Sequence, residues 1–214
     1  MMDSPQQQSF FTDVGFDCHQ AVAMPQATVQ WQPSWLPTAD ADSLLTQLHQ
    51  HTPWQQLPIS MFGRTVMQPR LLAWYGDHSY TYSGLTLQPL PWTPLLRDLK
   101  ARVEAATHSR FNTVLLNLYR DGSDYMGWHK DDEPELGSHP TIASISLGAS
   151  RRFFIPSYAK EGKNASFLLD HGSLLLMAGE TQTHWQHALP KTQKPMGERI
   201  NLTFRWLTPF TGSE

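Results

Sequence analysis

Cysteine is almost missing from this chain: Cys18 is the only one in 214 residues. A lone thiol excludes an internal disulfide framework and any cluster of thiolates around zinc, and it suits a reducing compartment. Charge is also sparse, at 16% of residues, and neither Lys nor Arg occurs before Arg64. The longest apolar runs are about five residues against the roughly 20 needed to cross a bilayer, so no membrane span is expected. The first twenty residues lack a basic start followed by an apolar stretch, so no secretory signal is expected. These absences together predict an intracellular protein with no membrane partner, cytoplasmic in a bacterium or nuclear in a eukaryote.

The formal net charge is −3, which at face value argues against a polyanionic partner, because phosphate contacts need Lys and Arg. The charge is unevenly spread. Residues 1–63 carry five acids (Asp3, Asp13, Asp17, Asp40, Asp42) and no base, whereas all sixteen basic residues follow, against fourteen acids. The body is therefore +2 and the leading part −5. Nucleic acid stays open as a partner, held by a contact surface confined to part of the body. The basic residues available for it are Arg64, Arg70, Arg97, Lys100, Arg102 and Arg110 early, then Arg151, Arg152, Lys160, Lys163, Lys191 and Lys194.

What is plentiful is histidine, tryptophan and proline, with ten, eight and sixteen residues. They point to short elements, frequent bends and a histidine-bearing site. Residues 1–35 are rich in Gln, Pro and Ser and read as a leader, partly docked or mobile. Residues 36–110 read as a helical flank with a lid. A helix is expected over 40–49, capped by Asp40 or Asp42 and striped by Leu44, Leu45 and Leu48. A second is expected over 93–106, with Thr93 at the N-cap, Pro94 at the first helical position, and Leu95, Leu96, Leu99 and Val103 at helical spacing. From Phe111 the pattern turns to strands, over 113–119, 141–147, 152–155, 166–169, 173–177, 183–188 and 199–207. Strands without intervening helices predict antiparallel packing, so 111–210 reads as a jelly-roll core: a mostly β fold with flanking helices.

Two segments carry chemistry. In Trp128-His129-Lys130-Asp131 an extended backbone turns His129 and Asp131 the same way, so both can reach one metal ion. A third ligand must come from a distant strand, and His184 and His187 compete for that place. Two histidines and a carboxylate make the facial triad of non-haem Fe(II) oxygenases. The second segment is Arg199-Ile200-Asn201-Leu202-Thr203-Phe204-Arg205-Trp206, which alternates strictly. Ile200, Leu202, Phe204 and Trp206 form one face; Arg199, Asn201, Thr203 and Arg205 form the other. That polar face suits either water or a dicarboxylate held by paired guanidinium groups. Asn117 and Tyr119 likewise share a strand face. Iron ligands, a carboxylate clamp and neutral hydrogen-bonding groups together imply a 2-oxoglutarate-dependent oxygenase.

With these residues assembled, the chain resembles the AlkB family of alkylated-nucleic-acid dioxygenases. The resemblance runs through Asn117-Leu118-Tyr119, His129-Lys130-Asp131-Asp132-Glu133-Pro134, Ile142-Ala143-Ser144-Ile145-Ser146-Leu147-Gly148-Ala149, His184-Trp185-Gln186-His187 and the Arg199–Arg205 segment. Pro69-Arg70, Tyr75-Gly76-Asp77 and Tyr80-Thr81-Tyr82-Ser83-Gly84-Leu85-Thr86 are similar to the branch that repairs duplex DNA. It covers about residues 55–207.

The resemblance implies a double-stranded β-helix preceded by helices and a nucleotide-recognition lid. It implies that His129, Asp131 and His187 hold Fe(II), with 2-oxoglutarate and O₂ as cosubstrates and His184 structural. Arg199 would pair with the distal carboxylate of 2-oxoglutarate, with Asn117, Tyr119, Thr203 and Arg205 completing the pocket and Asn201 in support. Phe62, Arg70, Tyr80, Tyr82, Asp132 and Glu133 would contact substrate, Phe62 as an intercalating finger. The implied activity is oxidative demethylation of N1-methyladenine and N3-methylcytosine in DNA by a monomer, releasing formaldehyde and succinate. Two alternatives stand beside it: the same chemistry on RNA or single strands, and a jelly-roll binding module without turnover.

Overall fold

The computed structural model describes residues 20–22, 24–61, 63–82, 85–155 and 165–208. In chain order the strands are β1 (Gln20–Val22), β2 (Thr28–Gln32), β3 (Pro58–Met61), β4 (Arg64–Met67), β5 (Leu71–Gly76), β6 (Tyr80–Tyr82), β7 (Leu85–Leu87), β8 (Thr113–Tyr119), β9 (Met126–His129), β10 (Ile142–Gly148), β11 (Arg151–Ile155), β12 (Ala165–Leu169), β13 (Ser173–Ala178), β14 (His187–Leu189) and β15 (Arg199–Arg205). The helices are α1 (Thr38–His51), α2 (Pro94–Thr107) and the short α3 (Thr181–His184).

Two antiparallel sheets face each other. The larger runs β1-β2-β13-β10-β15-β8-β5 and the smaller β12-β11-β14-β9, which is the expected jelly roll. Alternation along β8, β10 and β15 sends Val114, Leu116, Leu118, Ile145, Leu147, Ile200, Leu202 and Phe204 outward, where the apolar stripes of α1 and α2 cover them. The opposite faces of the same strands look inward across the barrel, with Phe153, Ile155, Phe167 and Leu169 closing from the smaller sheet. The chain passes from one sheet to the other at Gly148, whose φ of +84° and close approach to the Glu198 carbonyl leave no room for a Cβ. Residues 28–32 belong to the larger sheet, since β2 pairs with β13 from Thr28 to Gln32. The hairpins β3–β4 and β6–β7 stand before the barrel as separate two-stranded sheets.

Helix α2 begins as expected: Thr93 Oγ1 accepts the Leu96 N–H at 3.1 Å, with Pro94 in the first turn. Helix α1 differs. Pro37 precedes it with no side-chain cap, and Asp40 turns inward to stand 3.6 Å from Arg102 of α2. The expected strand 183–188 is also corrected. Thr181–His184 forms a helical turn, because the Thr181 hydroxyl bonds the Ala178 carbonyl at 2.5 Å and takes the Thr28 N–H at 3.0 Å. Local hydroxyl bonds of this kind compete with a strand ladder. Only His187–Leu189 remains as strand. Strand β15 stops at Arg205, and Trp206 is exposed rather than continuing the apolar face. Among the described residues no helix is long and apolar enough to cross a membrane.

Candidate active site

His129 closes β9, His187 opens β14, and the two are direct partners across that strand pair. Their imidazole centroids are 4.2 Å apart. Asp131 lies two residues beyond β9, and one ligand atom from each of the three residues falls within 4.8 Å of the others. His129 Nδ1 is 2.9 Å from the Gly127 carbonyl, a bond that puts the proton on Nδ1 and turns Nε2 toward Asp131 Oδ1, 3.9 Å away. Fixing the far nitrogen in this way is how a ligand histidine is held in its tautomer. His184 stands apart in α3, 3.7 Å from Glu180. The choice left open in the sequence therefore falls to His187.

The charges suit a cation. Burial pushes the His187 imidazole down to about 3, with His129 adding to the effect, so it is neutral. Burial is the largest single effect on the Asp131 carboxyl and would raise it, but the charge and hydrogen bond of Arg205 together with the two histidines outweigh it and bring the pKa down to about 2. A neutral imidazole and an ionised carboxylate are the forms a divalent ion needs.

The polar face of β15 turns inward. Arg199, Asn201, Thr203 and Arg205 are only 2%, 7%, 8% and 5% exposed, so water is not what this face meets. On the neighbouring strand, Tyr119 is registered opposite Arg199 and Asn117 opposite Asn201. Most of these groups are already tied. Arg199 Nη2 donates to Ser146 Oγ at 2.9 Å, Asn201 Nδ2 to Ser144 Oγ at 2.7 Å, and Thr203 Oγ1 to Asn201 Oδ1 at 3.0 Å. Arg205 Nη2 lies 3.0 Å from both oxygens of Asp131. What remains is telling: Nε and Nη1 of both Arg199 and Arg205 are buried without a hydrogen-bond partner. Burial lowers the Arg199 pKa to about 10, yet it stays charged at neutral pH. Buried cationic donors left unpaired are costly, on the order of 1–3 kcal/mol each or more. An anionic acceptor beside the histidine–aspartate cluster would satisfy them. The residues fit a divalent metal together with a dicarboxylate.

A cleft of about 400 Å³ opens onto the cluster, lined by Arg70, Tyr80, Asp132 and Glu133 among others. Tyr80 is buried and stacks on Trp74 with centroids 5.0 Å apart and planes 18° from parallel. Burial raises the Glu133 carboxyl, opposed by the Tyr80 hydroxyl that bonds to it. Glu133 Oε2 is buried with no partner, while Asp132 is exposed. Arg70 is buried and donates through Nε to Asn117 Oδ1 at 2.7 Å and through Nη2 to Gln68 Oε1 at 2.8 Å. It therefore braces the wall behind Asn117. Phe62 lies outside the described residues, as does the side chain of Tyr82, whose backbone ends β6.

Several residues were not expected. Arg151, counted above as a free basic residue, is buried, and its guanidinium donates to the carbonyls of Asp121, Asp124 and Pro190. Its carbon lies 5.9 Å from the Tyr119 ring, which Arg199 faces at 5.1 Å. The alternation of Arg151, Phe153 and Ile155 on one face of β11 was the available signal. Lys100 and Arg102 are also engaged, with Glu104 at 2.9 Å and Asp40. Gln182 accepts the Asp131 N–H at 3.0 Å; nothing local in the sequence marks it, since the contact spans 51 residues.

A family model, the 2OG-Fe(II) oxygenase superfamily, matches residues 28–205. Human alpha-ketoglutarate-dependent dioxygenase alkB homolog 3 is 45% identical over 186 residues, covering 83% of this chain and 65% of that protein. The chain thus spans a little under two thirds of that relative's length. Mouse DNA oxidative demethylase ALKBH2 is 41% identical over 183 residues, 80% of this chain and 77% of its own. The solved structure of OsALKBH1 superposes with a TM-score of 0.62 at 16% identity, covering 86% of this chain and 98% of that one, which supports the fold.

Proposed function

The chain belongs to the AlkB family within the 2OG-Fe(II) oxygenase superfamily, and from that premise we propose that it is an Fe(II)- and 2-oxoglutarate-dependent dioxygenase demethylating N1-methyladenine and N3-methylcytosine in DNA. His129, Asp131 and His187 hold Fe(II). Arg199 takes the distal carboxylate of 2-oxoglutarate, and Asn117, Tyr119, Asn201, Thr203 and Arg205 line its seat. Bound there, iron with 2-oxoglutarate and O₂ would supply the oxidising power for removing the N-methyl group, with succinate, CO₂ and formaldehyde as the products.

The rest is done by the chain's own groups. Arg205 keeps Asp131 ionised and oriented, so the carboxylate meets the metal in one geometry. Neutral His187 needs to release no proton on ligation. The inward face of β15 replaces water around the cosubstrate with fixed donors, which keeps the site dry.

The observation that carries the substrate reading is the acidic lining of the cleft. N1-methyladenine and N3-methylcytosine are cationic at neutral pH, and the unpartnered Glu133 Oε2 and Asp132 offer them acceptors. Their methyl groups lie on the Watson–Crick edge, out of reach within a duplex, so the nucleotide must leave the stack to enter. Arg70, Tyr80 and Tyr82 would border it there, with Phe62 filling the gap it leaves. A binding module without turnover has no use for a metal triad beside two buried guanidinium groups whose Nε and Nη1 donors are unsatisfied.

Purified protein given Fe(II), 2-oxoglutarate and an oligonucleotide bearing one N1-methyladenine should release formaldehyde and succinate in equal amounts. Failure to form either sinks the proposal. Parallel rates on duplex DNA, single-stranded DNA and RNA assign the strand preference.

A further inference from the structure

All eight tryptophans lie in the described residues, and six of them are buried or half-buried. Trp128 is the most exposed, at 54%, and it immediately precedes the ligand His129. It lines the cleft mouth together with Tyr125, while Ile59 of the β3–β4 hairpin lines it as well. The Tyr125 ring is covered by Lys191, whose Nζ is 4.5 Å from its centroid. The cleft is therefore segregated. Half-buried Glu133 lines its interior beside the metal cluster, where Arg70 and Arg205 are each tied to partners of their own, whereas Trp128 is exposed at its mouth and Lys191 lies just outside on the Tyr125 ring. An interior for a cation with a rim for flat rings and phosphates matches a nucleotide chain, not an isolated small molecule.

We propose that Trp128 is a stacking platform for the nucleotide adjoining the reacting one on the same strand, with Lys191 on Tyr125 placed for the phosphate that follows. This rests on the nucleic-acid reading above. It assigns the rim a distinct task. The interior recognises the damaged base by charge, and the rim grips its undamaged neighbour by ring stacking, which is tolerant of sequence because every base has a π face. Trp128 is thereby a specificity residue for polymer over free nucleotide.

Binding alone reads this contact. A dye-labelled single-stranded heptamer with one N1-methyladenine is titrated into the protein and followed by fluorescence anisotropy. Trp128→Ala should weaken binding about tenfold, the loss expected for one base–aromatic stack. Trp128→Phe, which keeps a ring, should recover most of it. Because the side chain is exposed, both variants should unfold at the wild-type temperature, which separates lost stacking from lost fold. Equal binding by wild type and Trp128→Ala overturns the platform. Formaldehyde release from the same heptamer tests the catalytic reading separately: binding that depends on Trp128 without release overturns the demethylase and leaves the platform standing.

Discussion

One nitrogen of Arg205 holds both oxygens of Asp131, with Nη2 3.0 Å from Oδ1 and from Oδ2. Both groups are buried, so each is the other's compensation. Deleting one partner of a buried pair leaves a lone charge in low dielectric, a loss of about 3–5 kcal/mol. Arg205→Met should therefore lower the stability of the metal-free protein by about that much, measured as the midpoint of urea denaturation. A divalent ion should restore part of it by giving Asp131 a new counter-charge. An unchanged midpoint would show that the pair contributes nothing. Asp131 variants carry the same burden, because they strand Arg205, so their activity must be compared with their folding.

The second prediction separates the two histidines of Thr183-His184-Trp185-Gln186-His187. His187 faces His129 across paired strands, whereas His184 pairs with Glu180 in α3. His187→Ala should weaken Co(II) binding, measured by calorimetry as a stable proxy for Fe(II), by more than the 10- to 100-fold typical of residues that only support a ligand. His184→Ala should change it by less than about twofold, on the scale of a surface ion pair. Comparable losses in the two variants would refute the ligand assignment.

Those two residues also show what was legible beforehand. The β15 alternation gave both faces of the strand, and Thr93-Pro94 gave the start of α2, because each signal lies within a few neighbouring residues. Whether the polar face of β15 met water or the barrel interior depended on Asn117, Tyr119 and the smaller sheet closing over it. That information is not local. The segment 183–188 reads as strand because Thr183 and Trp185 favour strand by side-chain shape, while the turn that displaces it starts at Thr181, whose hydroxyl is spent on the Ala178 carbonyl and on a residue 153 positions away. Asp40 failed as a cap for a similar reason: its partner Arg102 is on another helix. Arg70 and Arg151 counted as free charges until the fold buried them.

Arg199 carries the third prediction. With Nη2 bound to Ser146 and Nε and Nη1 unpartnered, its free donors await an anionic acceptor. Charge-assisted hydrogen bonds are worth about 1.5–3 kcal/mol, so Arg199→Ala should raise the KM for 2-oxoglutarate roughly 10- to 100-fold. The kcat should fall much less if the residue only binds. Arg199→Lys should recover only part of the affinity, since an ammonium cannot reproduce the planar fork. A normal KM in the alanine variant would move the dicarboxylate elsewhere.

Gln182 supplies the last. It is 1% exposed, and its Oε1 takes the backbone N–H of Asp131 at 3.0 Å. One residue away, Lys130 Nζ donates to the Thr183 carbonyl at 2.6 Å. The two bonds fasten the strand end that bears His129 and Asp131 to the turn that leads into His187, so the three ligands are set against one another by groups that touch no metal. Gln182→Met is close in shape but cannot accept, and it strands a buried N–H at a cost of about 1–3 kcal/mol. Co(II) affinity should fall about tenfold, the lower end of what supporting residues contribute to a metal site. Gln182→Glu keeps an acceptor oxygen at the same reach and should hold the affinity better than Gln182→Met does. If both variants lose thermal stability but bind Co(II) as the wild type does, Gln182 supports the fold and not the metal site, and the fastening of the ligands must come from Lys130 and the His129–His187 strand pairing alone.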